Sequence, residues 1–394
     1  MTDSKSQITA KLSDAVQRIK PSGIRRFFDL ASTMENVISL GVGEPDFTTP
    51  WSVREASIAS LERGITSYTA NAGLLELRTA ISDYLINEFQ VKYSPEDEIV
   101  VTVGASEGID LALRATVNPG DEILIVEPSF VSYAPLVSLL GGIPVSVPTS
   151  IENEFKVSSE DILAKITSKT VGILLSFPSN PTGATMGKED LEEIAKVICE
   201  YDLLIYSDEI YAELTYDNKH TSIPSLEGLW ERTILISGFS KSFAMTGWRL
   251  GYVCAPEPYA KAMLKIHQYA MMCAATMAQY AAIEALKDGK EEMKEMVVSY
   301  RQRRNYFVKS LNEIGLQCHL PGGAFYAFPS ITSTGLSSEE FAEKLLIEEK
   351  VAVVPGTVFG AGGEGHIRCS YATSMTQLEE AIKRMERFIS KNKH

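Results

Sequence analysis

The sequence is poor in the features that define several protein classes. It has five cysteines in 394 residues, and no two of them form a C-x-x-C pair. This argues against a disulfide framework and against a metal site, and a reduced cytoplasm is the simplest setting. No apolar run reaches the ~18 residues of a membrane-spanning helix. The polar N-terminus has no apolar core, so we expect no signal peptide.

Positive charge is also scarce. Lysine and arginine number 37 against 51 aspartates and glutamates, which gives a formal net charge of -14. Nucleic acids and anionic membranes would repel such a chain, so neither is an expected partner. The composition is otherwise that of an ordinary globular protein, with 45% hydrophobic and 22% charged residues, and the length suggests about two or three domains.

Five short apolar runs predict the strands of an α/β fold. They lack polar alternation, which is typical of parallel strands that helices cover on both faces. Each run ends in an unusual polar loop, and ligands of open α/β sheets bind outside the carboxyl ends of the strands. The five loops therefore indicate one shared site. The runs span residues 98–103, 122–126, 171–175, 203–206 and 233–236.

The part of the chain after about residue 290 has a different pattern. Helical patterns alternate there with short strands near Phe325 and Ile367, which predicts a smaller α+β domain. The helices are expected at 291–314, 337–349 and 375–391, with a further helical region at 13–31. We predict an N-terminal segment 1–45 that contributes to the small domain, a large domain 46–288 and a small domain 289–394.

Lys241 is the first candidate for chemistry. An amine nucleophile forms an imine with an aldehyde, although a lone lysine is more often a solvated loop residue. Lys241 follows a buried strand, and Arg249 lies eight residues further on, with Gly247 nearby to allow close backbone approach. A lysine and an arginine that converge at a strand end suit a ligand with an aldehyde and a phosphate.

Three more polar residues follow predicted strands. Asp208 is either a helix N-cap or the partner of a pyridinium nitrogen, which lets the ring accept electrons. Tyr211, three residues later, faces the same way if the segment is helical, and its phenol could bond the ring's own phenolic oxygen. The run 180–183, NPTG, is first of all a turn, but Asn180 could donate to the same oxygen and to a substrate carboxylate.

Gly104, Ala105 and Ser106 open a predicted helix at 107–115. Free N–H groups at a helix start can hold a phosphate, and an ordinary capped helix start is the alternative. Ser240 could add a hydroxyl. Phe130 could stack on an aromatic ring, or it could simply pack in the core.

Together these motifs resemble the class I pyridoxal-phosphate aminotransferases of the aspartate aminotransferase fold, fold type I. The most specific piece is 240–251, SKSFAMTGWRLG, which is similar to the family's cofactor-lysine signature; 180–183 and 207–211, SDEIY, match in order and spacing. The resemblance extends from Ser22 to the C-terminal helix. It is greatest to a bacterial and archaeal subgroup with alanine, aspartate, aromatic or acyl-diaminopimelate substrates. It implies a mainly parallel, seven-stranded-type sheet between helices, plus a small α+β domain from both termini.

The resemblance also implies a role for each candidate. Lys241 would hold pyridoxal 5′-phosphate as a Schiff base, and Asp208 would pair with the pyridinium nitrogen. Tyr211 and Asn180 would bind the ring oxygen, and Phe130 would stack on the ring. The residues implied for the phosphate are Gly104, Ala105, Ser106, Ser240 and Arg249.

Three further positions have implied roles. Arg368 resembles the clamp for the substrate α-carboxylate, which suits a planar guanidinium that makes two parallel bonds. Gly43 resembles the glycine whose backbone touches the same carboxylate. Tyr68 resembles a tyrosine that reaches the phosphate of the neighbouring subunit, which implies a homodimer.

The resemblance therefore implies an aminotransferase. It would move the α-amino group of an L-amino acid to 2-oxoglutarate or pyruvate by a ping-pong mechanism, with the freed Lys241 as general base and acid. A carbon–sulfur β-lyase on the same fold is the alternative, since fold does not fix function. Some aspartate-active relatives place a lysine where this chain has Ser106, which weakens an aspartate-only assignment. Arg25 or Arg26 could supply this cation instead, although both are more simply interpreted as charges on the surface of a helix.

Overall fold

The computed structural model describes residues 11–21, 23 and 34–392. A two-residue strand, β1 (Ile38–Ser39), comes first, and a seven-stranded sheet follows. The strands of this sheet are β2 (Ile99–Thr102), β3 (Glu122–Glu127), β4 (Ile143–Pro148), β5 (Thr170–Ser176), β6 (Leu204–Asp208), β7 (Thr233–Gly238) and β8 (Gly251–Cys254). Their order across the sheet is β2-β8-β7-β6-β5-β3-β4.

Six strands of the large sheet run in one direction, and β8 runs against them between β2 and β7. Every residue of β2 and of β7 is buried. Val100 and Val101, successive residues of β2, enter two different hydrophobic clusters. Because successive side chains of a strand point to opposite faces, both faces of the sheet are covered. The predicted α/β fold with a mainly parallel sheet is confirmed.

All five predicted runs are strands of this sheet, but the sequence analysis missed β4 and β8. β4 is an edge strand, and half of its residues are exposed. It contains two prolines, Pro144 and Pro148, which an edge strand tolerates because proline cannot donate a ladder hydrogen bond. β8 has four residues and begins at Gly251, the last residue of the lysine signature, and no strand was predicted there. Its pairing with β2 and β7 identifies it as a strand.

Helices cover the two faces of the sheet and form most of the C-terminal part. They are α1 (Asp14–Arg18), α2 (Trp51–Glu62), α3 (Leu75–Phe89), α4 (Gly104–Thr116), α5 (Tyr133–Leu139), α6 (Ser159–Leu163), α7 (Lys188–Glu200), α8 (Glu257–Ala270), α9 (Thr276–Asp288), α10 (Lys290–Glu313), α11 (Ser338–Glu349) and α12 (Met375–Asn392). Among the described helices, none is both long enough and apolar enough to cross a lipid bilayer.

The predicted helical region 13–31 is not one continuous helix. α1 ends at Arg18 because Ile19 is extended, with ψ at 127°. Pro21 follows two residues later, and a residue before proline is disfavoured in a helical conformation. Residues 24–33 lie outside the part that the structure describes, and this includes Arg25 and Arg26.

The C-terminal part has its own small sheet. Strands β9 (Tyr326–Ala327), β11 (Val354–Pro355) and β12 (Ile367–Ser370) form an antiparallel sheet in the order β11-β12-β9, and β10 (Val351–Ala352) pairs with β1 in parallel. Side chains of α10, α11 and α12 share one buried cluster with Ile38 of β1. The N-terminal strand is therefore packed with the C-terminal elements. The predicted domain boundaries at 45/46 and 288/289 stay predictions.

Candidate active site

The loops after β2, β3, β5, β6 and β7 open into one cavity of about 480 Å³. Eleven of the predicted site residues line it, namely Gly43, Ala105, Ser106, Phe130, Asn180, Asp208, Tyr211, Ser240, Lys241, Arg249 and Arg368. Gly104 lies against Arg249 at its edge. Tyr68 does not reach the cavity of its own chain, and 78% of it is exposed.

Lys241 lies in the loop that follows β7, and buried rings fix this loop on both sides. Phe239 and Phe243 are buried, with ring centroids 6.1 Å apart. The Lys241 Nζ atom donates a hydrogen bond of 2.6 Å to the backbone oxygen of Gly43. Burial lowers the pKa of Lys241 to about 8, against the opposing charge of Glu44. More of this amine is therefore neutral near neutral pH than of an ordinary lysine, which favours its action as a nucleophile or base.

Asp208 is the last residue of β6, and its side chain is 5% exposed. Its Oδ2 atom accepts a hydrogen bond of 2.6 Å from the Tyr133 hydroxyl, and its Oδ1 atom accepts one of 3.2 Å from the N–H of Ile210. Burial raises the pKa of Asp208, whereas these two hydrogen bonds lower it. No α-helix begins between β6 and β7, so the alternative of a helix N-cap is wrong.

Tyr211 and Asn180 face the cavity from neighbouring strand ends. The Tyr211 hydroxyl is 2.8 Å from the hydroxyl of Tyr326, and both rings are buried. The Asn180 Oδ1 atom accepts a hydrogen bond of 2.9 Å from Nη1 of Arg368. This fixes the side-chain amide of Asn180 so that its nitrogen, a donor of two hydrogens, remains for another acceptor.

Arg368 is a buried cation on β12, with 3% of its surface exposed. Its Nη2 atom donates a hydrogen bond of 2.6 Å to the backbone oxygen of Gly41, and the guanidinium lies 4.5 Å from the ring centroid of Tyr326. Its Nε atom is buried without a hydrogen-bond partner. Within the described ranges no carboxylate forms an ion pair with it. A buried charge without a counter-ion is costly, so this site is suited to an anionic ligand.

The start of α4 forms the other cationic end of the cavity. Gly104 has a positive φ of 75°, and a Cβ there would lie 2.8 Å from Nη2 of Arg249. The guanidinium of Arg249 is oriented by a hydrogen bond of 3.1 Å from Nη1 to the backbone oxygen of Thr246. Helix N-termini present free N–H groups, and together with Arg249 they form an anion site. Ser106 and Ser240 add hydroxyls to the lining of the cavity.

Nine further residues line the cavity, and sequence reasoning gave no role to the three titratable ones among them, Tyr133, Tyr326 and Glu44. Tyr133 lies three residues after Phe130, and their rings are edge to face with centroids 5.6 Å apart. The spacing of three residues between Phe130 and Tyr133, near the start of a helix, could have indicated that both side chains lie on the same face. Tyr326 belongs to the small sheet, so only the tertiary structure brings it to Tyr211. Glu44 accepts a hydrogen bond of 2.7 Å from the Thr246 hydroxyl.

Comparisons with known proteins agree over almost the whole chain. The family model described as aminotransferase class I and II matches residues 35–385. YugH of Bacillus subtilis, which is named as an aminotransferase, is 64% identical over 98% of this chain and 100% of its own length. The aspartate aminotransferase of Pyrococcus abyssi is 48% identical over 97% of this chain and 99% of its own.

A solved structure extends the comparison to three dimensions. The aromatic aminotransferase of Pyrococcus horikoshii superposes with a TM-score of 0.89 at 47% identity, and the alignment covers 94% of this chain and 99% of that one. A likeness at this identity extends to the fold as a whole, including the large sheet and the small one.

Proposed function

The chain belongs to the class I and II aminotransferases, and from this premise we propose that it holds pyridoxal 5′-phosphate on Lys241 and transfers an α-amino group from an L-amino acid to a 2-oxo acid. Transamination is the activity of the family, and the family uses this cofactor. The observation that carries the assignment to particular residues is the convergence of Lys241, Asp208, Arg249 and Arg368 in one cavity of about 480 Å³.

The residues at one end of the cavity fit the phosphate of the cofactor. A Cβ at Gly104 would fill the space beside Arg249, so glycine keeps the start of α4 open to an anion. Ala105, Ser106 and Ser240 line the same cavity. Backbone N–H groups at a helix start, one guanidinium and two hydroxyls form a donor set that suits a phosphate dianion.

The middle of the cavity fits the ring. Asp208 is a buried carboxylate that suits a protonated ring nitrogen, and we assign Phe130, which lines the cavity, to the ring face. We assign the ring's phenolic oxygen to the Tyr211 hydroxyl and to the free amide nitrogen of Asn180. When bound, the cofactor supplies an aldehyde carbon for imine formation and an aromatic ring that accepts electrons.

Lys241 is the nucleophile and then the proton carrier. Its amine has a pKa of about 8 because of burial, so it is available in neutral form near neutral pH. Once the incoming amino acid has displaced it, the same amine takes the α-proton and returns it. Its place beside the Gly43 carbonyl, at 2.6 Å, keeps the amine within the cavity between these two tasks.

Arg368 binds the α-carboxylate of the substrate. Two of its nitrogens are held by Asn180 and by the backbone of Gly41, and its Nε atom has no partner. Gly43 lies beside this site, and a Cβ there would be 2.9 Å from the Tyr326 hydroxyl. A carboxylate bound by Arg368 would hold the α-carbon of the substrate in a fixed position relative to Lys241. Such positioning of the reacting groups is a large part of the catalytic effect of an enzyme.

We further propose a homodimer in the cytoplasm. Tyr68 is largely exposed on one chain, as a residue that serves the phosphate of a neighbouring site would be before association. Tyr269 is also largely exposed and Met271 is half exposed, and the loop after α8 is joined to the Tyr68 segment by a hydrogen bond of 2.8 Å from Asn71 Nδ2 to the Met272 oxygen. All five cysteines are free thiols, which suits a reducing compartment.

For the donor we propose a side chain without charge. Among the described residues of the cavity, Lys241, Arg249 and Arg368 are the cations, and each already has a role. A second carboxylate, as in aspartate, would need a further cation, and Ser106 supplies none. The relatives at 48% and 47% identity are named for aspartate and for aromatic substrates, so identity alone does not choose between donors.

An absorbance scan of the purified protein tests the proposal. Protein loaded with pyridoxal phosphate is mixed in turn with alanine, aromatic amino acids and aspartate, without any 2-oxo acid. A productive donor converts the bound cofactor to its amine form, and the visible band is lost at a rate that ranks the donors. Protein that remains colourless after loading would overturn the cofactor assignment. Pyruvate released from cysteine conjugates without an acceptor would favour the β-lyase, which the named relatives do not support.

A further inference from the structure

Tyr133 makes the shortest hydrogen bond to Asp208. It is the first residue of α5, it is fully buried, and its hydroxyl donates to Asp208 Oδ2 at 2.6 Å. The other hydrogen bond to this carboxylate comes from the backbone of Ile210 at 3.2 Å. Within the described part of the chain no lysine or arginine lies within ion-pair distance of Asp208. The ionised form of Asp208 is therefore favoured chiefly by these two donors, with a smaller contribution from the charge of Lys241.

We propose that Tyr133 is a positioning residue that keeps the buried carboxylate of Asp208 ionised and aims it at the cofactor ring nitrogen. The inference rests on the proposed function, and it concerns a residue of this chain to which the resemblance gives no role. An ionised carboxylate only accepts hydrogen bonds, whereas a protonated one also donates. A donor fixed against it therefore favours the ionised form.

Several contacts make the Tyr133 hydroxyl a dedicated donor. Burial raises the pKa of Tyr133 well above its usual value, and the adjacent charge of Asp208 raises it further, so the phenol keeps its proton. Ser176 of β5 is paired in register with Asp208, and its side chain only partly opposes this rise in the pKa of Tyr133. The edge-to-face contact with Phe130 fixes the ring. The proton of the hydroxyl is thus directed to Asp208.

The geometry leaves capacity for the cofactor. Each carboxylate oxygen has two lone pairs, and each oxygen of Asp208 has one hydrogen-bond partner among the described residues. One lone pair on either oxygen can accept the N–H of a protonated ring. Tyr133 and the ring would then hold the carboxylate from two directions, and neither would displace the other.

The test compares Tyr133→Phe with Tyr206→Phe as a matched control. Tyr206 is also fully buried, it lies on β6 two residues before Asp208, and its hydroxyl makes one side-chain bond of 2.7 Å, to Thr116. Each variant loses one phenolic oxygen. The dissociation constant of pyridoxal phosphate is measured on apoprotein by fluorescence, and the protonation of the ring nitrogen is read from the ¹⁵N shift of labelled cofactor in the holoenzyme. The free energy of unfolding of both apo variants is measured in urea.

The expected result is specific to Tyr133. Its variant shows a ring-nitrogen shift moved towards the unprotonated value and a dissociation constant raised about tenfold, the effect of one lost hydrogen bond to a charged group. Tyr206→Phe changes neither, although both lose stability. An unchanged ¹⁵N shift in Tyr133→Phe would overturn the inference, even with weaker binding, because packing alone would explain that. Wild-type protein that binds no pyridoxal phosphate would instead defeat the proposed function, and the inference with it.

Discussion

The guanidinium of Arg249 lies against the bare α-carbon of Gly104, so that a Cβ at position 104 would stand 2.8 Å from Nη2. The contact joins the start of α4 to the loop before β8. No side chain larger than hydrogen fits between these groups without moving the cation. Gly104, the first residue of α4, and the cation that would face the phosphate thus constrain each other.

Gly104→Ala is expected to weaken binding of pyridoxal phosphate. The new methyl group displaces Arg249, and the positive φ of 75° adds strain of about 1 kcal/mol for an L-residue. Gly120→Ala is the matched control, since Gly120 has a φ of 90° and nothing within 4 Å of its Cβ position. Both variants should lose similar stability, and the dissociation constant should rise about tenfold or more in Gly104→Ala alone. Equal affinities would contradict a phosphate site here.

Lys241→Ala is expected to abolish turnover while the protein still binds the cofactor. The phosphate and ring contacts remain, and only the amine that forms the imine and moves the proton is lost. Turnover is measured with a coupled 2-oxo acid assay, and binding is measured by dialysis against labelled pyridoxal phosphate. Near-normal transamination by this variant would end the assignment of Lys241.

Arg368→Ala is expected to raise the KM for amino acids by about 30-fold or more, because loss of a buried charge partner costs about 2 kcal/mol at least. The control substrate is a primary amine without a carboxylate, whose slow half-reaction should not change. Spectral half-reaction rates with both substrates at increasing concentration provide the measurement. Equal losses for both substrates would show that Arg368 supports the fold rather than the carboxylate.

A buried carboxyl behind the site should make stability depend on pH. Burial raises the pKa of Glu213 to about 7 from an ordinary value of 4.5, although Tyr84 donates a hydrogen bond of 2.6 Å to it. The folded state thus binds this proton more tightly than the unfolded chain, so the contribution is present below pH 4.5 and is lost as the pH rises to 7. The charge of nearby His220 lowers the pKa of Glu213, and the charge of Glu209 raises it.

Glu213→Gln should therefore be more stable than the wild type at pH 7, by roughly 1–3 kcal/mol, and the difference should shrink towards pH 4.5. Glutamine still accepts the hydrogen bond from Tyr84. Urea unfolding at a series of pH values gives the comparison. A difference that stays constant with pH would mean that Glu213 is not protonated in the folded state.

Mixing two inactive variants tests the shared site. If Tyr68 serves the neighbouring subunit, Tyr68→Ala mixed with Lys241→Ala yields dimers in which one site carries both defects and the other carries none. Activity should then rise after subunit exchange towards the share of intact sites, about one quarter for a random mixture of chains. A mixture that stays as inactive as its parents would place Tyr68 outside the neighbouring site.

The sequence predicted the parts of this site that depend on local pattern. Apolar runs gave five strands, and the polar residues after them, such as Asn180 and Asp208, do meet in one cavity. Tyr326 was missed because its place depends on tertiary packing, and Tyr133 was missed because its spacing of three from Phe130 was not used. β8 was missed because a strand of four buried residues is too short to show a period. The helical region predicted at 13–31 is interrupted after Arg18, where Ile19 is extended, and the sequence analysis did not anticipate this break shortly before Pro21.

β8, the one reversed strand of the large sheet, determines how far apart Lys241 and Arg249 lie along the chain. Because β8 runs antiparallel to β7, with Gly238 opposite Gly251, the chain leaves the sheet at the end of β7 and re-enters it directly beside that point, at the start of β8. The amine of Lys241 and the guanidinium of Arg249 therefore share one closed loop of twelve residues, 239–250. Adding or deleting a residue in this loop would change the spacing between imine and phosphate, whereas insertions in the crossover segments between parallel strands would leave that spacing intact.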